Sequence, residues 1–157
     1  WRIGWLHSGA PELSAAVAKL QGHSTSHPSS VSQAAALAAL RSPRDFQQDW
    51  RAEFDRRRRA LVAGLNRLPG VHCHEPSGAF YAFPSVGGLL GPGGLFEDDL
   101  ALALDLLEQA EVATVPGSAF GGPGHLRLSY ALSFERLEEA CARLERYFTA
   151  RSPRAAH

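Results

Sequence analysis

Residues 124–133 read "GHLRLSYALS". Leu126, Leu128 and Tyr130 alternate with His125, Arg127 and Ser129, the period of a strand with one apolar face. Arg127 stands in the middle of the other face. A guanidinium there is ordinary surface if that face meets water. It is a fixed, permanently charged fork for an anion if the face lines a cleft. The flanks say what kind of layer the strand belongs to. Before it, "ATVPGSAFGGPG" (113–124) reads as a short strand with turns. After it, "SFERLEEACARLERYFTA" (133–150) predicts a helix that starts at Ser133 and carries Leu137, Cys141, Leu144 and Phe148 on one stripe.

The same alternation of strands and helices extends back to residue 71. "VHCHEPSGAFYAFP" (71–84) reads as one or two strands around a Pro-Ser-Gly turn, and "SVGGLLGPGG" (85–94) as a flexible loop. "FEDDLALALDLLEQAEV" (96–112) predicts a helix whose acidic residues sit in its first turn, where the dipole favours them. Pro43 is expected to open the longest helix, about 43–67. Phe46, Trp50, Phe54, Leu61, Leu65 and Leu68 form its stripe, and "LPG" (68–70) stops it. Further upstream, Pro11 suits a first helical turn, with Leu13, Val17 and Leu20 on one face. "STSHPSS" (24–30) is a polar loop in which Ser29 or Ser30 caps an alanine-rich helix expected to pack closely on both sides. Residues 1–8 read as a strand or a tight turn. The pattern after residue 70 is a small α/β layer of helices on a sheet.

The 157 residues carry 16 basic and 16 acidic side chains, so no global field favours nucleic acid or an anionic membrane. Lys19 is the only lysine. Cys73 and Cys141 are too few for a disulfide framework, which makes a reduced, cytoplasmic setting the default. No apolar run reaches the length of a membrane span, and the first residues lack the pattern of a signal peptide. The opening "WRIGW" (1–5) reads like the interior of a domain, so the chain is expected to be a piece of a longer protein.

Several candidate chemistries weigh lightly. Arg56–Arg59 point in different directions on a helix and have Glu53 and Asp55 nearby, so a solvated surface outweighs nucleic-acid binding. In "HCHE" (72–75) strand alternation separates Cys73 from His72 and His74, and no second cluster at ligand spacing completes a metal site. "PGSAFG" (116–121) lacks the spacing of a nucleophile elbow, and the glycines at 87–94 lack the ending of a phosphate-binding loop. Arg2, between Trp1 and Ile3, and Arg127 remain. From the residues alone, each reads equally as a structural ion pair or as a ligand anchor.

Six segments in this order, "WRIGW", "STSHPSSVSQAAALAAL", "RRRALVAGLNRLPGV", "EPSGAFYAFP", "LLEQAEVATVPGSAFG" and "GHLRLSYALSFERLEEACARL", resemble class I pyridoxal-phosphate aminotransferases of the aspartate aminotransferase type. The resemblance covers residues 1 to about 148. It implies an α/β fold, the C-terminal part of a fold type I pyridoxal-phosphate-dependent transferase. Residues 1–58 would be the end of the large cofactor-binding domain and the interdomain helix, 59–150 the small C-terminal domain, and 151–157 a disordered tail.

The resemblance also implies roles. Arg2 would bind the phosphate of pyridoxal 5'-phosphate, Arg127 would grip the substrate α-carboxylate, and Phe80 would lie near the substrate. No catalytic residue is expected within the chain. In the family the lysine that binds the cofactor as a Schiff base precedes the Trp-Arg pair, and Lys19 follows it. Residues 1–157 by themselves are therefore expected to be inactive. The whole protein would transfer an amino group from an amino acid, such as aspartate, to a 2-oxo acid, working as a cytoplasmic homodimer without nucleic acid or membrane. "LQGHSTSHP" (20–28) lacks the arginine with which some aspartate aminotransferases read the distal carboxylate, and His27 stands where relatives commonly have Asn. Alternatives within the resemblance are a lyase or decarboxylase on the same cofactor, or the cofactor-sensing module of a transcription regulator.

Overall fold

The computed structural model describes residues 2–151. Its elements run α1 (Pro11–Ser24), α2 (Ser30–Arg41), α3 (Phe46–Leu65), β1 (Tyr81–Ala82), α4 (Asp99–Ala110), β2 (Val115–Pro116), β3 (Leu126–Ser129) and α5 (Phe134–Arg151). Short 3-10 turns occupy Gly87–Leu89 and Gly117–Phe120. The chain separates into two compact units, Trp1–Phe46 and Gln47–His157.

In the first unit α1 begins with proline in its first turn, as the fixed φ of that residue favours. Ser29 occupies the N-cap position of α2, but its side chain makes no capping bond. The Gln33 side-chain amide instead donates to the Pro28 carbonyl at 3.0 Å. The close packing expected around α2 is absent: neither helix contains a buried residue, and Leu20, Val31, Leu37 and Leu40 are exposed. A pair of alanine-rich helices has too little side-chain volume to enclose a core. Residues 2–8 form no strand, and Arg2 takes a left-handed φ of 54°, which breaks an extended run.

The second unit holds the core. α3 starts at Phe46, three residues later than Pro43: Pro43 and Arg44 are not helical, and the chain turns at Asp45 before the helix begins. The stripe on α3 is half used. Leu61 and Leu65 are buried, Phe54 packs at the core's edge, and Phe46 and Trp50 are exposed. Arg56 and Arg57 pair with Glu53, while Arg58 and Arg59 pair with Asp55, and Arg58 also reaches Glu75. Hydrogen bonds from Arg56 and Arg57 hold the Glu53 carboxyl down at about 2, and those from Arg59 and Arg58 do the same for Asp55. The arginine run is thus a solvated helix surface.

The sheet is antiparallel in the order β1-β3-β2, with Tyr81 opposite Ser129, Ala82 opposite Leu128, and Val115 opposite Arg127. Leu126, Leu128 and Ala82 point into the core, where α4 supplies Leu102 and Leu106 and α5 supplies Leu137, Leu144 and Phe148. The strand expected over 71–84 shrinks to β1 and single rungs, His72 to Ser85 and Ser85 to His125. Its alternation survives, with Cys73 2% exposed between exposed His72 and His74. The glycine-rich segment is not a free loop. Leu89 is buried within it, and a methyl on Gly94 would sit 2.6 Å from the Leu89 carbonyl oxygen.

Asp98 caps α4 by accepting the Ala101 N–H at 2.8 Å, and α5 begins with the Ser133 hydroxyl accepting the Arg136 N–H. Arg151 closes α5 and pairs with Asp105 at 3.2 Å. Arg151, expected as the first residue of a tail over 151–157, is helical, and residues 152–157 lie outside the described residues. Both cysteines are free. Among the described residues no helix is long and apolar enough to cross a membrane.

One polar atom in this core is misplaced. The Thr114 hydroxyl is buried without a hydrogen-bond partner, beside a cavity of about 10 Å³ lined by Leu65, Leu106, Leu126 and Leu128. Valine has the same shape without the desolvated hydroxyl. Thr114→Val should therefore raise stability by about 1 kcal/mol, read as a higher urea midpoint at unchanged slope. A lower midpoint would mean that the hydroxyl is satisfied in solution.

Candidate active site

Arg127 sits on the central strand, half-buried, on the face opposite Leu126 and Leu128. Among the described residues it has no carboxylate partner. Its guanidinium carbon lies 4.5 Å from the centre of the Tyr81 ring and 4.1 Å from the centre of the Phe120 ring. The charge is held by ring faces, and the N–H donors at the edges of the guanidinium plane are not consumed by an acid.

Each ring has its own anchor. The Tyr81 ring reaches the face because β1 pairs Tyr81 with Ser129. Phe80 precedes it, 40% exposed, with its ring 4.4 Å from that of Tyr81. The backbone of this loop is pinned from below. Tyr130 N–H donates to the Phe80 carbonyl at 3.0 Å, and the buried Tyr130 hydroxyl donates to the Ala79 carbonyl at 3.1 Å, where φ is 59°. Burial pushes the Tyr130 phenol up, which favours its protonated, donating form.

Phe120 ends the 3-10 turn Gly117–Phe120. Ser118 N–H donates at 2.8 Å to Oδ2 of Asp99, the first residue of α4, which is only 3% exposed. Gly117 N–H donates to the His125 carbonyl, and the Gly117 carbonyl accepts from Gly122 N–H. A Cβ at position 117 would lie 2.3 Å from the Gly122 oxygen and 2.7 Å from the His125 oxygen, so only glycine fits. Further along the same strand pair, Phe83 and His125 stack at 5.0 Å.

The structure thus brings Phe80 and Arg127 together through Tyr81, and adds Phe120. Sequence reasoning missed Tyr81 and Phe120. The first follows from strand register, the second from a turn that no periodicity announces. Arg2 lies in the other unit. It is exposed and has no hydrogen bond or ion pair among the described residues. Among the described residues no cluster of three or more His, Cys, Asp or Glu could hold a metal ion.

Arg127, half-buried and without a carboxylate partner among the described residues, thus stands on the central strand of an antiparallel sheet whose other face packs on helices. Residues 1–144 match the family Aminotransferase class I and II. The chain is 49% identical over 149 residues to an aspartate aminotransferase of Streptomyces avermitilis, an alignment covering 93% of this chain and 36% of that protein. It is 44% identical over 151 residues to an aspartate/prephenate aminotransferase of Cereibacter sphaeroides, covering 94% and 38%. The crystal structure of the aspartate aminotransferase from Rhizobium meliloti superposes with a TM-score of 0.76 at 45% identity, covering 86% of this chain and 35% of that one. The chain belongs to the class I and II aminotransferase family, and its fold is the α/β fold of the fold type I transferases, in part. It spans a little over a third of the length of the curated relatives it matches. The family depends on pyridoxal phosphate.

Proposed function

We propose that residues 1–157 are the C-terminal portion of a pyridoxal-phosphate-dependent aminotransferase that moves an amino group from an amino acid to a 2-oxo acid. Residues 1–58 serve as the end of the large domain with the interdomain helix, and 59–150 as the small domain. The whole protein works as a cytoplasmic homodimer. The observation that carries this reading is Arg127, half-buried and without a carboxylate partner among the described residues. Ring faces hold the charge without using its edge N–H donors, and a bound carboxylate would take those donors in two parallel hydrogen bonds.

The residues present fit the cofactor at one end. Arg2 offers an exposed guanidinium with no competing acid among the described residues, which suits a phosphate dianion. Bound there, the cofactor supplies the electron sink for bond cleavage at the α-carbon. Arg127 grips the α-carboxylate with two parallel hydrogen bonds and so fixes the α-C–H bond in space. Phe80 covers the substrate from the loop before β1. Lys19, the only lysine, is exposed on α1, so residues 1–157 alone do not transaminate. All three named relatives carry aspartate in their names. Since "LQGHSTSHP" contains no arginine, recognition of a second carboxylate falls to residues outside that loop.

The test is amine transfer by the full-length protein with aspartate and a 2-oxo acid. Loss of ammonia or carbon dioxide without any 2-oxo acid would replace this reading with a lyase or a decarboxylase. Arg2→Ala in the same protein should weaken cofactor retention on gel filtration by about 10-fold or more, with the KM for the amino acid little changed. Normal retention would return Arg2 to a surface role.

A further inference from the structure

We propose that Tyr81 and Phe120 are positioning residues that clamp the Arg127 guanidinium between their rings and so preset the plane in which it meets a carboxylate. This inference rests on the substrate-binding role of Arg127 proposed above. An arginine has several rotatable bonds, and ordering it at the moment of binding reduces affinity. Proteins commonly order such a side chain with an acid, but an acid would compete with the substrate for both the charge and the donors. Aromatic faces avoid that conflict. They attract the cation and shield its two faces from water, and they leave the edge N–H groups free.

Two rings lie at the distances this arrangement needs. The guanidinium carbon is 4.5 Å and 4.1 Å from the two ring centres, inside the range of a cation over an aromatic face. The rings come from separate elements with separate anchors. Tyr81 is held by β1 pairing with Ser129, and Phe120 by the turn tied through Ser118 N–H to the buried Asp99 carboxylate. Neither ring is a core residue whose loss would unfold the unit. Phe120 is 49% exposed, and Tyr81 is only half-buried.

Two measurements test the clamp. In the full-length protein, the Arg127 Nε–Hε order parameter by NMR should exceed about 0.8, and it should fall below about 0.6 in Phe120→Leu and in Tyr81→Leu. Phe120→Tyr and Tyr81→Phe keep a ring and should keep the order. In the full-length protein, Phe120→Leu should raise the KM for the amino acid about 10-fold with kcat within about 2-fold, because a preset carboxylate contact serves ground state and transition state alike. Phe120→Tyr should restore KM. Unchanged order in both leucine variants overturns the clamp. Lost order with an unchanged KM overturns its role in binding. If instead Arg127→Leu leaves kcat/KM unaltered, the carboxylate reading fails and takes this role with it, while the NMR result still reports whether the rings hold the side chain.

Discussion

Arg127→Leu in the full-length protein should lower kcat/KM for the amino acid by about 10²- to 10³-fold. A bidentate contact between guanidinium and carboxylate contributes on the order of 3–4 kcal/mol, and each 1.36 kcal/mol is about tenfold in rate. No other arginine stands on β3, and Val115 and Tyr81, which neighbour it on this face, carry no charge to substitute. Arg127→Lys should recover only part of the loss, because an ammonium keeps the charge but has no planar fork to match a carboxylate with two parallel hydrogen bonds. Steady-state kinetics on the three proteins decides the matter. Equal kcat/KM in all three would make Arg127 surface decoration and would remove the main support for the proposed activity.

Leu102→Ala should be the most damaging change to folding among those considered. Leu102 is 0% exposed on α4, within the one cluster that joins α3, α4, α5 and the sheet. Truncation loses the transfer energy of the buried side chain and leaves a cavity that rigid neighbours cannot close, about 2–5 kcal/mol in all. For a unit of this size that is a large share of the total stability. Urea unfolding followed by the signal of the Gln47–His157 unit should show a clearly lower midpoint. By contrast Leu104, 52% exposed on the same helix, should tolerate alanine with little change. Similar losses at both positions would mean that α4 presents a different face to the core.

The helices were the readable part of this chain. Leu137, Leu144 and Phe148 recur at helical spacing and are buried on α5, and Pro11 and Ser133 stand where α1 and α5 begin. Periodicity reports which side chains share a face. It does not report what lies opposite, and the missed readings follow from that. Leu37 and Leu40 on α2, and Phe46 and Trp50 on α3, have core-like spacing but are exposed in their units. The strands were overestimated for a related reason. His72, Cys73 and His74 alternate correctly, yet only isolated rungs form there, since pairing depends on a partner strand and not on the pattern alone.

At the candidate site, Arg127 could be singled out because alternation within β3 sets it against Leu126 and Leu128. Phe80 came from the family resemblance. Tyr81 needed the register of β1 against β3, a long-range fact. Phe120 needed the path of the Gly117–Phe120 turn, which is set by hydrogen bonds to Asp99 and His125 from elsewhere in the chain.

The packing at Gly117 has a consequence for how this protein can vary. A Cβ there would meet the carbonyl oxygens of Gly122 and His125 and the His125 Cβ, so the crowding comes from the main chain and the atom nearest to it. No rearrangement of neighbouring side chains makes room for a methyl. Selection can therefore retune the chemistry of the loop freely at Ser118 and Ala119, both exposed, while position 117 stays closed to every mutational route that adds an atom.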